Sequence, residues 1–222
     1  SPNGKKYGCI NLPGLNADFE DAKGRNASDD IKAELIKLKA QNVEGIILDL
    51  RNNGGGSLTE VVDIMGLFMN NGPVVQVKDG NGRVQVMRNK QNDPIWTGPL
   101  VIMQNELSAS ASEILAGAMK DYGRAVIVGS PQSFGKGTVQ TFVELNRFLN
   151  TSDDFGALKL TIQKFYRVNG KSTQLKGVES DIPMKDVFSY EEIGERFDNY
   201  ALPWDQVNSS SFTVNNSINV VE

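Results

Sequence analysis

Residues 43–69 read VEGIILDLRNNGGGSLTEVVDIMGLFM. The uninterrupted apolar run at 46–48 is typical of a strand buried on both faces of a parallel sheet. The glycine triplet at 54–56 then predicts a loop, and Ser57 with Glu60 three residues later predicts a capping box at the start of an apolar helix. A strand, a glycine loop and a helix in this order indicate an α/β protein.

Other segments extend this pattern. Helical spacing of apolar residues predicts helices over Ser28–Gln41 and Ser110–Asp121. The turn residues at 79–82 lie between two short apolar segments, Val74–Lys78 and Arg83–Met87, and predict a β-hairpin. Further strands are predicted over Lys5–Leu12, Leu100–Gln104, Ala125–Val128, Thr138–Leu145 and Leu158–Val168. We therefore expect a mostly parallel sheet core with packed helices, with additional β-strands in the C-terminal half.

The composition excludes several functions. The 222 residues carry a net charge of −4, with no histidine and one cysteine, Cys9. An acidic chain lacks the basic surface of a nucleic-acid-binding protein. Without histidine, a Ser-His-Asp hydrolase is impossible and almost no conventional zinc ligands remain. No apolar run approaches the length of a membrane span, and the first residues do not read as a signal peptide, so we expect a cytosolic protein or a processed piece of an exported one.

Ser110 stands where a predicted buried strand meets a predicted helix, in the run SASASE at 108–113. The S-x-x-E pattern alone indicates a capping box. At a helix N-terminus, however, the dipole also favours a developing anion. The N–H of Ala111, in the first turn, has no intrahelical partner and is free to bind an oxyanion. The glycine triplet ends a parallel strand at the edge where such sheets bind ligands, and offers a second backbone donor.

An activated serine in this chain needs a base other than histidine. Lys136 stands between two glycines in FGKGTVQ at 134–140, a setting that suits close packing around an amine. Lysine loses its proton readily when it is desolvated, which makes Lys136 the candidate base. Gln140 lies about 13 Å further on in an extended strand, so contact with Lys136 requires a bend near Gly137.

At these residues the chain resembles the C-terminal processing peptidases, also called tail-specific proteases, which are serine proteases of bacterial envelopes and plastids. The matching segments run through most of the chain: IILDLRNNGGG (46–56), SASASE (108–113), DYGRA (121–125), FGKGTVQ (134–140), TIQKFYRVNG (161–170) and GVESDIPM (177–184). The segment ALPWD (201–205) is similar to the bacterial tail-specific subgroup.

The resemblance implies a crotonase/Clp-protease-like fold and a serine endopeptidase of the Ser-Lys type that needs no metal or cofactor. It implies Ser110 as nucleophile, Lys136 as general base and Gln140 as the residue that orients the lysine amine. It also implies an oxyanion hole formed by the backbone N–H groups of Ala111 and Gly56.

Some accounts of the family add an aspartate at the position of Asp121 to the catalytic residues. Eleven residues along a straight helix place Asp121 about 16 Å from Ser110. We therefore expect a structural role for Asp121, next to Arg124. The spacing of the predicted dyad departs from the family pattern. Lys136 follows Ser110 by 26 positions (136 − 110), one more than in that pattern, and the extra residue lies within 130–133.

The resemblance also predicts the organisation of the chain. Residues 1–185 are expected to form the peptidase core, and 186–222 a C-terminal extension that packs peripherally or is flexible. Family members carry a PDZ domain that captures apolar C-terminal tails, and none is found here, so we expect an excised core of a periplasmic or cell-envelope protein. Its partners would be protein or peptide substrates with apolar tails; the oligomeric state stays open.

Two other functions remain open at this level. A crotonase-like acyl-CoA enzyme would also use a glycine-amide oxyanion hole, but it leaves Ser110 and Lys136 without a role. A non-catalytic pseudoprotease or scaffold could keep the motifs without an assembled site. The distance between Ser110 Oγ and Lys136 Nζ, and peptide hydrolysis before and after replacing Ser110, distinguish these functions.

Overall fold

The computed structural model describes residues 4–17, 24–148 and 154–214. This part of the chain contains nine strands, namely β1 (Tyr7–Asn11), β2 (Gly45–Asp49), β3 (Gly72–Asp79), β4 (Val84–Asn89), β5 (Leu100–Gln104), β6 (Val126–Gly129), β7 (Thr138–Glu144), β8 (Ala157–Tyr166) and β9 (Ile182–Pro183). It contains three α-helices, α1 (Ala27–Ala40), α2 (Leu58–Phe68) and α3 (Ala111–Asp121), and short 3₁₀ helices at Leu145–Arg147, Val187–Tyr190 and Glu195–Phe197. The predicted order of elements is confirmed, whereas β9 and the 3₁₀ helices were not predicted.

Five strands form a parallel sheet in the order β1-β2-β5-β6-β9. The apolar runs of β2 and β5 lie in its centre, where Ile46, Leu48, Leu100 and Ile102 are all buried. Side chains from the three helices, such as Leu35, Ile64 and Leu115, join these strands in one hydrophobic core. Burying each such side chain contributes about 1.5–3 kcal/mol. The predicted α/β class with a parallel sheet is confirmed.

Asn53 is one of the residues that hold together the loops at the carboxyl ends of β2 and β5, and Asn52 and Asn105 are also hydrogen-bonded to each other. Asn53, fully buried, accepts hydrogen bonds at its backbone oxygen from Ala109 N (2.9 Å) and Ser112 Oγ (2.8 Å). Its side-chain amide donates to Leu12 O at 2.8 Å. The glycine loop, the serine turn and the segment after β1 therefore meet at one edge of the sheet.

The other four strands form an antiparallel sheet in the order β4-β3-β8-β7. Strands β3 and β4 are the predicted hairpin. Residues 163–166 of β8 pair with β3, and residues 157–164 pair with β7. Among the described strands, β7 has no other neighbour in the sheet order and is therefore an edge strand. Phe165 N donates to Gly137 O at 2.9 Å, so the β7 ladder begins directly after Lys136.

The segment after residue 186 packs against the core over part of its length. Trp204 Nε1 donates to Ser172 O (2.9 Å), and Asp205 accepts hydrogen bonds from Lys164 (2.6 Å) and Tyr166 (3.0 Å). Ser210 N donates to Val168 O at 2.9 Å. Residues 215–222 lie outside the described residues, and the division of the chain near residue 185 stays a prediction. None of the helices in the described ranges is long and apolar enough to cross a bilayer.

Candidate active site

A cleft of about 260 Å³ lies where the glycine loop, the N-terminus of α3 and the start of β7 meet. Its lining contains all five residues predicted for the dyad, the orienting amide and the oxyanion hole, namely Ser110, Lys136, Gln140, Gly56 and Ala111. The remaining lining residues are Gly54, Leu58, Ile114, Thr138, Val139 and Phe165. A larger cavity of about 390 Å³ beside β1 and α1 contains none of the predicted residues.

Ser110 adopts a strained backbone conformation at the turn between β5 and α3. Its φ of 59° and ψ of −116° are unusual for a residue with a side chain. Such strain costs about 1–3 kcal/mol and persists where the surrounding structure enforces it, most often at functional sites. A sharp strand-to-helix turn that displays a serine is also the arrangement of a nucleophile elbow in serine hydrolases.

The glycine loop closes against this turn at Gly55. With a φ of 106°, Gly55 lies so close to the serine that a Cβ there would be 2.9 Å from Ser110 Cβ and 3.0 Å from Ala111 N. Any side chain at this position would displace Ser110 or Ala111. The second glycine of the triplet is therefore required for close approach, which the sequence pattern alone did not specify.

The two predicted oxyanion donors are open. Within the described residues, neither Ala111 N nor Gly56 N donates a hydrogen bond, whereas Gly55 N already donates to Asn53 Oδ1 at 2.8 Å. Leu15 fixes the backbone on both sides of Gly56, because Leu15 N donates to Gly55 O (3.0 Å) and Leu15 O accepts from Ser57 N (2.7 Å). A donor held in place before the substrate arrives costs no reorganisation during reaction.

Lys136 is half-buried, and burial is the main cause that lowers the pKa of its amine. The charge of Lys159 lowers this pKa further, while Glu195 and Glu113 oppose the shift. Its backbone is held on both sides, by a hydrogen bond from Lys136 N to Glu113 Oε2 (2.9 Å) and one from Thr173 Oγ1 to Lys136 O (2.7 Å). A desolvated lysine of this kind can act as a neutral base.

The side chains of the predicted dyad are not hydrogen-bonded to each other. In the described part of the chain, Lys136 Nζ makes no hydrogen bond to Ser110 Oγ or to Gln140, although all three residues line the cleft. Catalytic hydrogen bonds are often long before substrate binds. The structure thus brings these residues to one cleft without joining their functional atoms.

Glu113 connects Ser110, the predicted nucleophile, to Lys136, the predicted base, through their backbones. This fully buried carboxylate accepts hydrogen bonds from Ser110 N (2.8 Å) and Lys136 N (2.9 Å) at one oxygen. Its other oxygen accepts from Ser133 Oγ (2.6 Å) and Gly135 N (2.7 Å). Burial raises the pKa of Glu113 to about 7, and the four hydrogen bonds oppose that rise.

Sequence reasoning treated Glu113 only as half of a capping box and missed this role. The signal lay in its neighbours, because residues 114–119 (ILAGAM) include no polar side chain, and the structure buries all of them. A carboxylate in the first turn of such a helix is itself buried, and a buried charge needs several partners. Ser133, within the segment 130–133, joins the same network, and its Oγ also accepts a hydrogen bond from Val178 N at 2.8 Å. The extra residue in this segment stays a prediction.

Asp121 lies at the far end of α3 from Ser110 and outside the cleft lining. It forms an ion pair with Arg167 and accepts a hydrogen bond from Asn169 Nδ2 at 2.8 Å. Arg124, beside which this structural role was expected, binds elsewhere: its guanidinium donates to Phe68 O and Trp96 O (both 2.8 Å). These contacts favour a structural role for Asp121.

A strained serine at a strand-to-helix turn, beside two open backbone N–H groups, is the arrangement of a serine hydrolase. Comparison with known proteins narrows this class. The model of peptidase family S41 matches residues 6–184. The tail-specific protease of Haemophilus influenzae is 44% identical over 217 residues, covering 92% of this chain and 31% of that protein.

One further relative and one solved structure point to the same family. The chloroplastic carboxyl-terminal-processing peptidase 2 of Arabidopsis thaliana is 32% identical over 191 residues, covering 86% of this chain and 34% of that protein. The solved structure of the photosystem II D1 C-terminal processing protease superposes with a TM-score of 0.67 at 29% identity, over 81% of this chain and 42% of that one. The chain therefore belongs to peptidase family S41, a family of serine proteases. It spans about a third of the length of the curated relatives it matches.

Proposed function

We propose that this chain carries the catalytic site of a serine endopeptidase of the Ser-Lys type. Ser110 is the nucleophile, neutral Lys136 the general base, Gln140 the residue that orients the lysine amine, and the N–H groups of Ala111 and Gly56 the oxyanion hole. The observation that carries the proposal is the buried Glu113 carboxylate, which hydrogen-bonds the backbone of both Ser110 and Lys136 at one end of the cleft. Family membership favours this function over the acyl-CoA alternative.

The chemistry follows from these positions. Ser110 Oγ attacks the carbonyl carbon of the scissile peptide bond as its proton passes to Lys136 Nζ, and the oxyanion that forms is stabilised by the two backbone donors. The protonated lysine then gives its proton to the leaving amine, and an ester on Ser110 remains. Water hydrolyses this ester, with Lys136 again accepting and returning a proton. No step requires a metal or a cofactor.

The pH dependence follows from the base. Only the neutral amine of Lys136 accepts the serine proton, so activity should rise with pH through the lowered lysine pKa. The measurement is the rate at which a fluorophosphonate probe phosphonylates Ser110 with loss of fluoride, followed by intact mass from low to high pH. Lys136→Arg preserves the charge but cannot deprotonate, and should show no labelling at any pH. Labelling of this variant at the parent rate contradicts the base assignment.

The same probe distinguishes an enzyme from a pseudoprotease. The parent chain should be labelled at Ser110 and should hydrolyse an unfolded polypeptide, whereas Ser110→Ala should do neither while keeping the circular dichroism spectrum of the parent. A folded parent chain that is neither labelled nor active would identify a pseudoprotease or scaffold.

The substrates we propose are exported proteins in the cell envelope or periplasm, by extension from relatives named for tail-specific or carboxy-terminal processing. In the family resemblance given above, a PDZ domain recognises apolar C-terminal tails. We therefore expect this chain alone to cleave unfolded substrates with little regard for their last residues. One unfolded substrate with either an apolar or a charged tail tests this point. Strong preference for the apolar tail by this chain would place tail recognition in the core.

A further inference from the structure

Thr138 carries a buried hydroxyl that the proposed mechanism does not use. The residue is 4% exposed, lines the cleft, and its Oγ1 has no hydrogen-bond partner among the residues that the structure describes. Leaving such a group unpaired costs about 1–3 kcal/mol. Gln104 Oε1 is likewise buried without a partner, but Gln104 is not part of the cleft lining. Because Thr138 lines the cleft, we expect the hydrogen-bond partner of its hydroxyl among the other groups of the cleft.

The group that fits this hydroxyl is the amine of Lys136. The amine also lacks a hydrogen bond within the described residues, and both residues line the same cleft. In an extended chain, residues two apart share one face at a separation of about 6.6 Å, whereas residues four apart are separated by about 13 Å. The register of β7 shifts between Val139 and Gln140, which is the kind of bend that Gln140 needs to approach Lys136. A lysine side chain reaches the nearer position without the bend that Gln140 requires.

We propose that Thr138 is a positioning residue for the general base: its hydroxyl oxygen accepts a hydrogen bond from the Lys136 amine and holds the lone pair of that amine toward Ser110. A neutral amine donates up to two N–H bonds and accepts one proton. With Thr138 and Gln140 as the two acceptors, the lone pair is left for the serine hydroxyl. This inference rests on the proposed Ser-Lys function and specifies how its base is oriented.

The charged groups around the amine remain in place when Thr138 is changed. They are Lys159 on β8, Glu195 on the 3₁₀ helix at Glu195–Phe197, and Glu113 on α3. A hydrogen-bond acceptor favours the charged ammonium over the neutral amine. Removing the Thr138 hydroxyl should therefore lower the Lys136 pKa, so that the acid limb of the pH profile moves to lower pH even as the rate falls.

The experiment compares the parent chain with Thr138→Val, Thr138→Ser and the control Thr141→Val, a change on the same strand outside the cleft lining. The readouts are the rate at which the fluorophosphonate probe phosphonylates Ser110 as a function of pH, the KM for a peptide substrate, and thermal unfolding. Thr138→Val should lower the plateau rate about 10- to 100-fold, part of the 10²–10⁴ typical of general base catalysis. Its acid limb should move to lower pH, while Thr138→Ser and Thr141→Val should stay close to the parent.

Several results would overturn the inference. A Thr138→Val profile identical to the parent in rate and pH dependence would show that the hydroxyl does not contact the base. Equal loss in the Val and Ser variants would assign the effect to packing of the methyl group. An unchanged probe rate with a raised KM for peptide would assign the hydroxyl to substrate binding. By contrast, labelling of a Lys136→Ala variant at the parent rate would refute the proposed function itself.

Discussion

The chain uses the same S-x-x-E motif at the N-termini of α2 and α3, and the two copies behave differently. Ser57 has an ordinary extended conformation, with φ −72° and ψ 131°, and its hydroxyl accepts a hydrogen bond from Glu60 N at 3.4 Å. Ser110 has a positive φ. Among the described residues, Glu60 reaches a single backbone donor, Ser28 N at 2.7 Å, whereas Glu113 accepts four hydrogen bonds. The first motif caps a helix, and the second also aligns a candidate active site.

The difference shows where the functional information lies. Both glutamates are buried, and both extend beyond their own helix. What separates the two motifs is the serine backbone and the segment that the glutamate binds, because Glu60 contacts the start of α1 and Glu113 contacts the loop that carries Lys136. Neither property can be read from the four letters of the motif.

The largest contrast should come from replacing the two serines. Ser110→Ala should lower peptide hydrolysis by about 10⁴-fold or more, the scale seen when a serine nucleophile is removed. Ser57→Ala removes only a cap and should cost about 1 kcal/mol of unfolding free energy. Hydrolysis rates and denaturant titrations of both variants measure this. Comparable loss of activity in the two would show that the motifs do not differ in function.

A smaller contrast is expected for the two glutamates. A glutamine at 113 offers one acceptor oxygen where donors approach both carboxylate oxygens, so either Ser110 N and Lys136 N or Gly135 N loses its acceptor, and the loop that carries Lys136 shifts relative to Ser110. Misplacement by about 1 Å can cost roughly 100-fold in rate, and we expect a loss of that order for Glu113→Gln. Glu60→Gln can keep its single hydrogen bond, and should retain parent activity.

The raised pKa of Glu113 gives an independent check on the contrast between the two glutamates, through the pH dependence of stability. Because this pKa lies near 7 in the folded protein, against 4.5 ordinarily, the folded state binds the proton more tightly than the unfolded state. The free energy of unfolding should therefore fall as pH rises from about 4.5 to 7. This component should be missing in Glu113→Gln and present in Glu60→Gln. A slope that persists in Glu113→Gln must come from other groups.

Changing the charge of Lys159 on β8 tests the candidate active site through a smaller effect. Since its charge lowers the Lys136 pKa, Lys159→Glu should move the acid limb of activity to higher pH. The control Lys90→Glu makes the same charge change at an exposed position after β4, and should leave the limb in place. Lys159 is exposed, so the displacement should shrink as salt is added. Equal movement in both variants would indicate a general charge effect.

The smallest effect concerns backbone strain. Glycine tolerates a positive φ, so Ser110→Gly should be more stable than the parent by up to about 1 kcal/mol, although inactive. Ser57→Gly loses a cap without relieving strain and should be less stable by a few tenths of a kcal/mol. Chemical denaturation of both variants measures the two signs. A less stable Ser110→Gly would mean that the turn is not strained.

Much of the fold could be predicted from local patterns. The apolar runs of β2 and β5, the helical spacing in α1 and the turn residues of the β3–β4 hairpin are each encoded within about ten neighbouring residues, so their types and positions are confirmed. The two-residue β9 was missed because it depends on pairing with β6 rather than on its own sequence.

The candidate site was predictable in its members but not in its connections. Gly56, Ser110 and Lys136 were found from motifs, and they do line one cleft. The contact between Gly55 and Ser110, the partners of Glu113 and the pairing of Asp121 with Arg167 all join residues distant in sequence. Such contacts depend on how the elements pack, and a single sequence gives no direct measure of packing.

The hydrogen bonds of Glu113 also mean that the candidate active site cannot be aligned before the chain has folded. Its hydrogen bonds to Ser133, Gly135 and Lys136 span 20 to 23 residues, so they form only when the loop after β6 docks on α3. Until then the carboxylate stays hydrated, and Ser110 and Lys136 belong to unconnected segments. A nascent or partly unfolded chain therefore has no aligned nucleophile and base. On the proposed mechanism, proteolytic competence then arises only with completed folding, which would protect the emerging chain and its neighbours from premature cleavage.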